Sequence, residues 1–210
     1  MRALALGAAL IWAGAAHAFA VQEATIGGMR VLVAPSSSVP MAQIVLLVPG
    51  GQAAEPAGKD GAAALLTAML ADHTRAHRHE DWAARLDAHA LRFSASAGAE
   101  AWTFSVTTLA EEIPEAIAAL AEAVQRPGWD AQRFRTLKAR AIAAAEKARE
   151  DPVRVADELW RPALFGAHPY ARLPGGAPET LRRVRLRDLK ALHEAQFHPE
   201  GAVLAAAGAI

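Results

Sequence analysis

Gly50-Gly51-Gln52-Ala53-Ala54-Glu55-Pro56-Ala57-Gly58-Lys59-Asp60-Gly61 runs straight into Ala62-Ala63-Ala64-Leu65-Leu66-Thr67-Ala68-Met69-Leu70-Ala71-Asp72. The first half is turn chemistry: paired glycines and a Pro56-to-Gly58 break interrupt any regular element. Gly50-Gly51 has neither the dinucleotide-fingerprint nor the P-loop spacing, so it reads as a turn and not as a phosphate cradle. From Gly61 to Asp72 the chain is helical by composition and apolar almost all round, which is the pattern of a buried helix. Positions 64, 67 and 68 stand at i, i+3 and i+4 and share one face. That face holds Ala64, Thr67 and Ala68, side chains that offer neither a metal ligand nor a general base.

Working outward, Ala42–Val48 is a continuous apolar run and reads as a buried strand, ended by Pro49-Gly50-Gly51. Val21–Ile26 and Met29–Ala34 flank Gly27-Gly28 as a hairpin. Downstream of a polar loop at His73–His79, Trp82, Leu86 and Ala90 mark an amphipathic helix over Glu80–Ala90. Leu91–Ala97 and Ala101–Leu109 form a second hairpin. In its second strand Trp102, Phe104 and Val106 alternate with Thr103, Ser105 and Thr107, the signature of a half-buried strand. Helices follow over Pro114–Gln125, over Asp130–Arg149 with Asp130 as N-cap, from Asp151-Pro152 to about Leu164, and from Leu186 to about Phe197. Phe165–Pro178 reads as a Gly/Pro-rich loop, and Gly201–Ala207 as a last strand. The order is three strands, two helices, two strands, four helices, one strand. Without βαβ alternation, this predicts an α+β fold with a mainly antiparallel sheet of about six strands packed with helices.

The chain has 210 residues, is 53% hydrophobic, and balances 22 basic against 22 acidic residues. It can bury a core, and its neutral charge excludes a strongly basic nucleic-acid footprint. It has no cysteine, which removes disulfides, thiolate metal sites and a cysteine nucleophile. At the N-terminus, Arg2 precedes an apolar run from Ala3 to Ala15, followed by Ala16-His17-Ala18 and Ala18-Phe19-Ala20. That is the layout of a secretory signal peptide cleaved after Ala18 or Ala20. The apolar run is short for a membrane span. The expectation is a periplasmic or secreted protein over residues 21–210, with no stable membrane insertion after cleavage.

No G-x-S-x-G, Walker loop or H-E-x-x-H occurs. His73, His77, His79 and Glu80 form the densest polar cluster, but Arg75 and Arg78 lie between the histidines and oppose a divalent ion. The segment therefore reads as a solvated loop. His168, His193 and His198 are isolated in sequence.

From Gly28 to Gly208 the chain resembles the M16 (insulinase, pitrilysin) peptidase family, N-terminal-type domain, whose fold is shared with LuxS. The resemblance rests on Gly28–Val33, on the Gly50–Ala63 loop (G-G-x-x-x-E-P-x-G-K-x-G-x-A), on Leu65-Leu66 and Met69-Leu70, and on Ser94–Ala97. It continues through Asp151-Pro152, Phe165–Tyr170, Gly175 or Gly176, Leu181, and the closing Ala202–Gly208. Active members carry H-x-x-E-H on the helix after the Gly-rich loop: two zinc ligands and a general base. Aligned on Gly61 and Met69-Leu70, those positions here are Ala64, Thr67 and Ala68. The third ligand falls near Ala143 or Ala144, with Glu146 at the wrong helical phase.

The resemblance therefore implies an exported, catalytically inactive M16-like subunit, without zinc, that partners an active zinc peptidase and helps form its peptide chamber. It would bind peptide by strand addition along Phe93, Ser94, Ala95, Ser96 and Ala97. Family subunits carry two such domains, so the chain is either a half-subunit or one truncated before a second domain. Two alternatives stand beside this reading. One is an active zinc metallopeptidase using His73, His77 and His79. The other is a truncated structural remnant, which would expose an apolar face where a second domain should pack.

Overall fold

Gly27-Gly28 turns the hairpin of β1 (Gln22–Ile26) and β2 (Met29–Pro35) at one end of a six-stranded sheet. These strands come from a computed structural model, which describes residues 21–210; the expected signal peptide lies outside the described residues. The remaining strands are β3 (Met41–Pro49), β4 (Arg92–Ala97), β5 (Ala101–Leu109) and β6 (Val203–Gly208). The strand order is β1-β2-β6-β3-β5-β4. Every neighbouring pair is antiparallel except β2 with β6, where the last strand inserts beside the first hairpin. The architecture is α+β, as the order of elements predicts.

The period-two pattern of β5 fixes which face is covered. Trp102, Phe104, Val106 and Thr108 are buried, while the residues between them are partly open. Opposite them, Ile44 pairs with Val106 and Val48 with Trp102. Onto this face pack α1 (Ala62–Asp72) and α3 (Ile113–Gln125), with α7 (Leu186–Gln196) against α1. Leu65, Leu66, Met69 and Leu70 of α1 are fully buried, as is Trp82 of α2 (His79–Ala88). Truncating an aromatic at such a site costs about 3–5 kcal/mol.

α1 leaves Ala64 and Ala68 only half buried, on the side facing α4 (Ala131–Ala148). Asp130 caps α4 by accepting the Arg133 N–H at 2.6 Å. Two further helices follow: α5 (Pro152–Phe165) and α6 (Pro178–Arg183). Five α-helices thus lie between β5 and β6 where the sequence pattern gave four. The addition is α6, only six residues long, where the pattern predicts loop and connector. It forms because the Thr180 hydroxyl accepts the Ala177 N–H at 3.0 Å and donates to the Asp60 carbonyl at 2.8 Å.

α5 is turned inside out. Its polar flank grips the body: Arg154 donates to the Gly176 carbonyl, Arg161 to the Tyr170 carbonyl, and Glu158 pairs with Arg149. Its apolar flank faces solvent, with Val153 71%, Leu159 72% and Leu164 68% exposed. No helix among the described residues is long and apolar enough to cross a membrane.

Candidate functional site

Glu55 organises the entrance to α1. It is buried, and its Oε1 accepts the N–H of Gly61 at 2.9 Å and of Ala63 at 2.8 Å. These are free donors of the first helical turn, so a side chain from the preceding loop caps the helix. Burial pushes the Glu55 carboxyl up to about 7, against the two backbone hydrogen bonds that favour its charged form. Nothing in composition or spacing marks Glu55 as a cap, because it lies six residues before the N–H it first meets. Lys59 pairs with Asp188 at 2.6 Å, and Arg172 donates to the Gln52 and Glu55 carbonyls, fixing the loop to the body. Gly61 takes φ +96°, and a Cβ there would lie 2.6 Å from the Gly175 carbonyl oxygen. Close approach and backbone conformation both demand glycine.

Behind this entrance lies a cleft of about 310 Å³. Ala64 and Ala68 of α1 form one wall, Ala141 and Ala144 of α4 the other, and Gly61, Gly175 and Leu181 close its end. Of the two positions considered for a third ligand, Ala144 lines the cleft and Ala143 does not. Glu146 is outside it, paired with Arg182. Thr67 departs from the shared-face expectation: it is buried, and its hydroxyl donates to the Ala63 carbonyl at 2.8 Å instead of lining the cleft. The only charged lining residue is Arg140. Zinc needs nitrogen, sulfur or carboxylate donors. The alanines supply none and Arg140 opposes a cation, so this lining does not fit the metal that the resemblance implies.

The histidine segment is only partly the solvated loop expected: Arg75, Ala76, Arg78 and His79 are exposed, but its first two residues are not. His73 and Thr74 are buried, and each imidazole has a partner. His73 Nδ1 meets Asp72 while its Nε2 accepts the Asp130 N–H; His77 Nδ1 meets Glu122; His79 Nδ1 meets the Asp72 carbonyl and carboxylate. Asp72 in turn forms an ion pair with Arg133, and Glu122 accepts from Thr74 and Arg85. Burial alone would raise the Glu122 carboxyl, but the hydrogen bonds from Thr74, His77 and Arg85 hold it down at about 2. His73 and His79 share Asp72 while His77 turns to Glu122, and no group of three or more metal-ligating side chains assembles among the described residues.

β4 carries Phe93–Ala97 at the end of the sheet and, among the described residues, is bonded only to β5. Phe93, Ala95 and Ala97 pack toward the core, while Ser94 and Ser96 face out. The Ser94 and Ser105 hydroxyls bond across the pair at 2.8 Å. The outer side of β4 has no strand partner among the described residues, which is the requirement for adding one.

Residues 30–172 match the family profile of Insulinase (Peptidase family M16). Proteins from Mycobacterium bovis and Mycobacterium tuberculosis, each described as an uncharacterised zinc protease, are 26% identical over 194 residues. The alignment covers 92% of this chain but 44% of theirs, so the chain spans less than half the length of these relatives. The fold is similar to a peptidase M16 inactive domain from Pseudomonas fluorescens, with TM-score 0.85 and 24% identity over 91% of this chain and 47% of that one. It is also similar to a protease from Helicobacter pylori, with TM-score 0.81 and 18% identity over 91% and 46%. Pitrilysin matches with TM-score 0.77 and 22% identity over 90% of this chain and 21% of its own.

Proposed function

The chain belongs to the Insulinase (M16 peptidase) family, and from that premise we propose that it is a non-catalytic member. In this reading it is exported, holds no zinc of its own, pairs with a zinc-bearing M16 peptidase subunit, and helps wall the peptide chamber. The observation that carries it is the alanine-lined cleft. By the alignment on Gly61 and Met69-Leu70, Ala64, Thr67 and Ala68 take the positions of H-x-x-E-H; of the two candidates for the third ligand, Ala143 and Ala144, it is Ala144 that shares the cleft with Ala64 and Ala68. Water activation by a metal and a carboxylate base needs all four roles filled, and none is. The Pseudomonas fluorescens neighbour, itself described as an inactive domain, supports the reading.

Two surfaces support the pairing. The outer flank of α5 exposes Val153, Leu159, Trp160 and Leu164, a contiguous apolar face of the kind that marks an interface. The relatives' greater length supplies a reason for such a face: more than half of each lies outside the matched region. The free edge of β4 supplies main-chain donors and acceptors for an extended peptide, with no demand on its side chains.

Native-level co-purification from the periplasmic fraction tests this. Recovery of a partner carrying H-x-x-E-H, lost on Leu159→Lys while the chain itself remains folded, is the expected result. Repeated recovery of the chain alone overturns the pairing. One retained zinc per wild-type chain overturns the non-catalytic assignment.

A further inference from the structure

The loop after α1 and the loop between α3 and α4 enclose a second cavity, of about 610 Å³, closed behind by His193 of α7. Arg75, Arg78 and Arg126 line it. The carboxylates beside it are already engaged, Asp72 with Arg133 and Glu122 with Arg85 and His77; Asp130 is itself in the lining, where it caps α4 by accepting the Arg133 N–H. Glu80 and Asp81 lie in an adjoining depression beyond Arg78. None of the three guanidinium groups has an ion pair or side-chain hydrogen bond among the described residues, although eleven other arginine or lysine side chains there do. A further cation, the Lys190 ammonium, sits 5.9 Å from the ring centre of Trp129, which forms part of the cavity wall.

The arrangement is held in place before any ligand arrives. The Arg75 N–H donates to the Arg126 carbonyl at 2.8 Å, next to the bridge between Thr74 and Pro127. The Thr74 hydroxyl donates to Glu122 at 2.5 Å. Gly128 passes so near His73 that a Cβ on it would lie 2.1 Å from the imidazole Cδ2. Two rigidly joined loops thus place three exposed guanidinium groups in the lining of one cavity, against a single lining carboxylate, Asp130.

We propose that this cavity binds a phosphate-bearing small molecule through Arg75, Arg78 and Arg126. Guanidinium groups pair bidentately with phosphate oxygens, and a tetrahedral phosphate presents oxygens in several directions, as cations on two facing loops require. A planar carboxylate presents one edge. The volume is that of a small-molecule site. None of the exposed large apolar side chains belongs to its lining, so nothing at its mouth would enter a bilayer. That favours a free ligand over a lipid headgroup.

Calorimetric titration of the full mature chain with inorganic pyrophosphate at moderate salt tests the proposal. Saturable binding is expected, weakened about tenfold or more by Arg75→Gln and by Arg126→Gln, and unaffected by Arg92→Gln on the remote edge strand. Citrate is expected to bind more weakly than pyrophosphate. Absence of pyrophosphate binding overturns the site, as does binding indifferent to Arg75→Gln and Arg126→Gln. Equal binding of citrate overturns the preference for phosphate, and binding to phosphatidic acid vesicles without binding to pyrophosphate overturns the free ligand. Circular dichroism of each variant separates lost binding from lost fold.

Discussion

Ala64 on α1 and Ala144 on α4 wall the same cleft from opposite sides, with Ala68 and Ala141 beside them. Histidines at 64 and 68 and a glutamate at 144 would place two imidazoles and one carboxylate around that space, a catalytic-type zinc set with one position open. Metal analysis after dialysis is expected to find about one zinc per chain of Ala64→His/Ala68→His/Ala144→Glu, and none on the wild type. Moving the glutamate to 143, which does not line the cleft, is expected to remove most of that zinc. Ala64→His/Thr67→Glu/Ala68→His, lacking the third carboxylate, is expected to hydrolyse peptide poorly. Its glutamate would also replace a buried threonine whose hydroxyl is bonded to Ala63.

Glu55 makes stability pH-dependent in the direction opposite to an ordinary ion-paired carboxylate. Its folded value of about 7 lies above its ordinary 4.5, so the folded chain binds the extra proton between those values. The stabilisation is complete below about pH 4.5 and is lost as pH rises through about 7. Glu55→Gln keeps an oxygen to accept the Gly61 and Ala63 N–H groups but cannot titrate. Urea unfolding between pH 5 and 8 is expected to show wild-type stability falling relative to Glu55→Gln, by up to about 3 kcal/mol.

Gly61→Ala tests how tightly the loop must approach the body. The new Cβ would meet both the Gly175 carbonyl and Leu181 Cδ2 at 2.6 Å, in a backbone conformation that L-residues resist. Strain and overpacking together predict a loss of about 2–5 kcal/mol. Thermal melting is the measurement, with Gly166→Ala as control: it also has positive φ, but nothing lies within 4 Å of its added Cβ. The control is expected to lose only about 1 kcal/mol.

The sheet is legible in the sequence because its signals are local. β5 alternates residue by residue, and Gly27-Gly28 and Gly98 punctuate the hairpins. The placement of β6 between β2 and β3 is not legible, since no local pattern encodes which distant strands a strand joins. α6 escapes because six residues hold less than two turns, although Pro178 at its first position is a usable signal. The histidine segment misleads for the opposite reason. Arg75 and Arg78 make it look solvated, while the partners that bury His73 and Thr74 come from Asp130, Gly128 and Glu122, far along the chain. Thr67 shares a helical face with Ala64 and Ala68 by spacing, but its angular offset is enough to turn it into the core.

Glu122 joins α3 to the histidine segment and to α2, and acid should undo that joint. Its side chain is 15% exposed and accepts from Thr74, His77 and Arg85. The folded carboxyl, held at about 2, lies below its ordinary 4.5, so the folded state binds fewer protons in that window. Its stabilisation is complete above about pH 4.5 and is lost as pH falls toward 2. Glu122→Gln removes the charge and leaves the Arg85 guanidinium with Glu115 alone. The variant is expected to be less stable than wild type by on the order of 3 kcal/mol at pH 7. Urea unfolding at pH 3 is expected to show less than half that difference. A gap that stays constant between the two pH values would mean that the carboxylate's charge does not hold the joint.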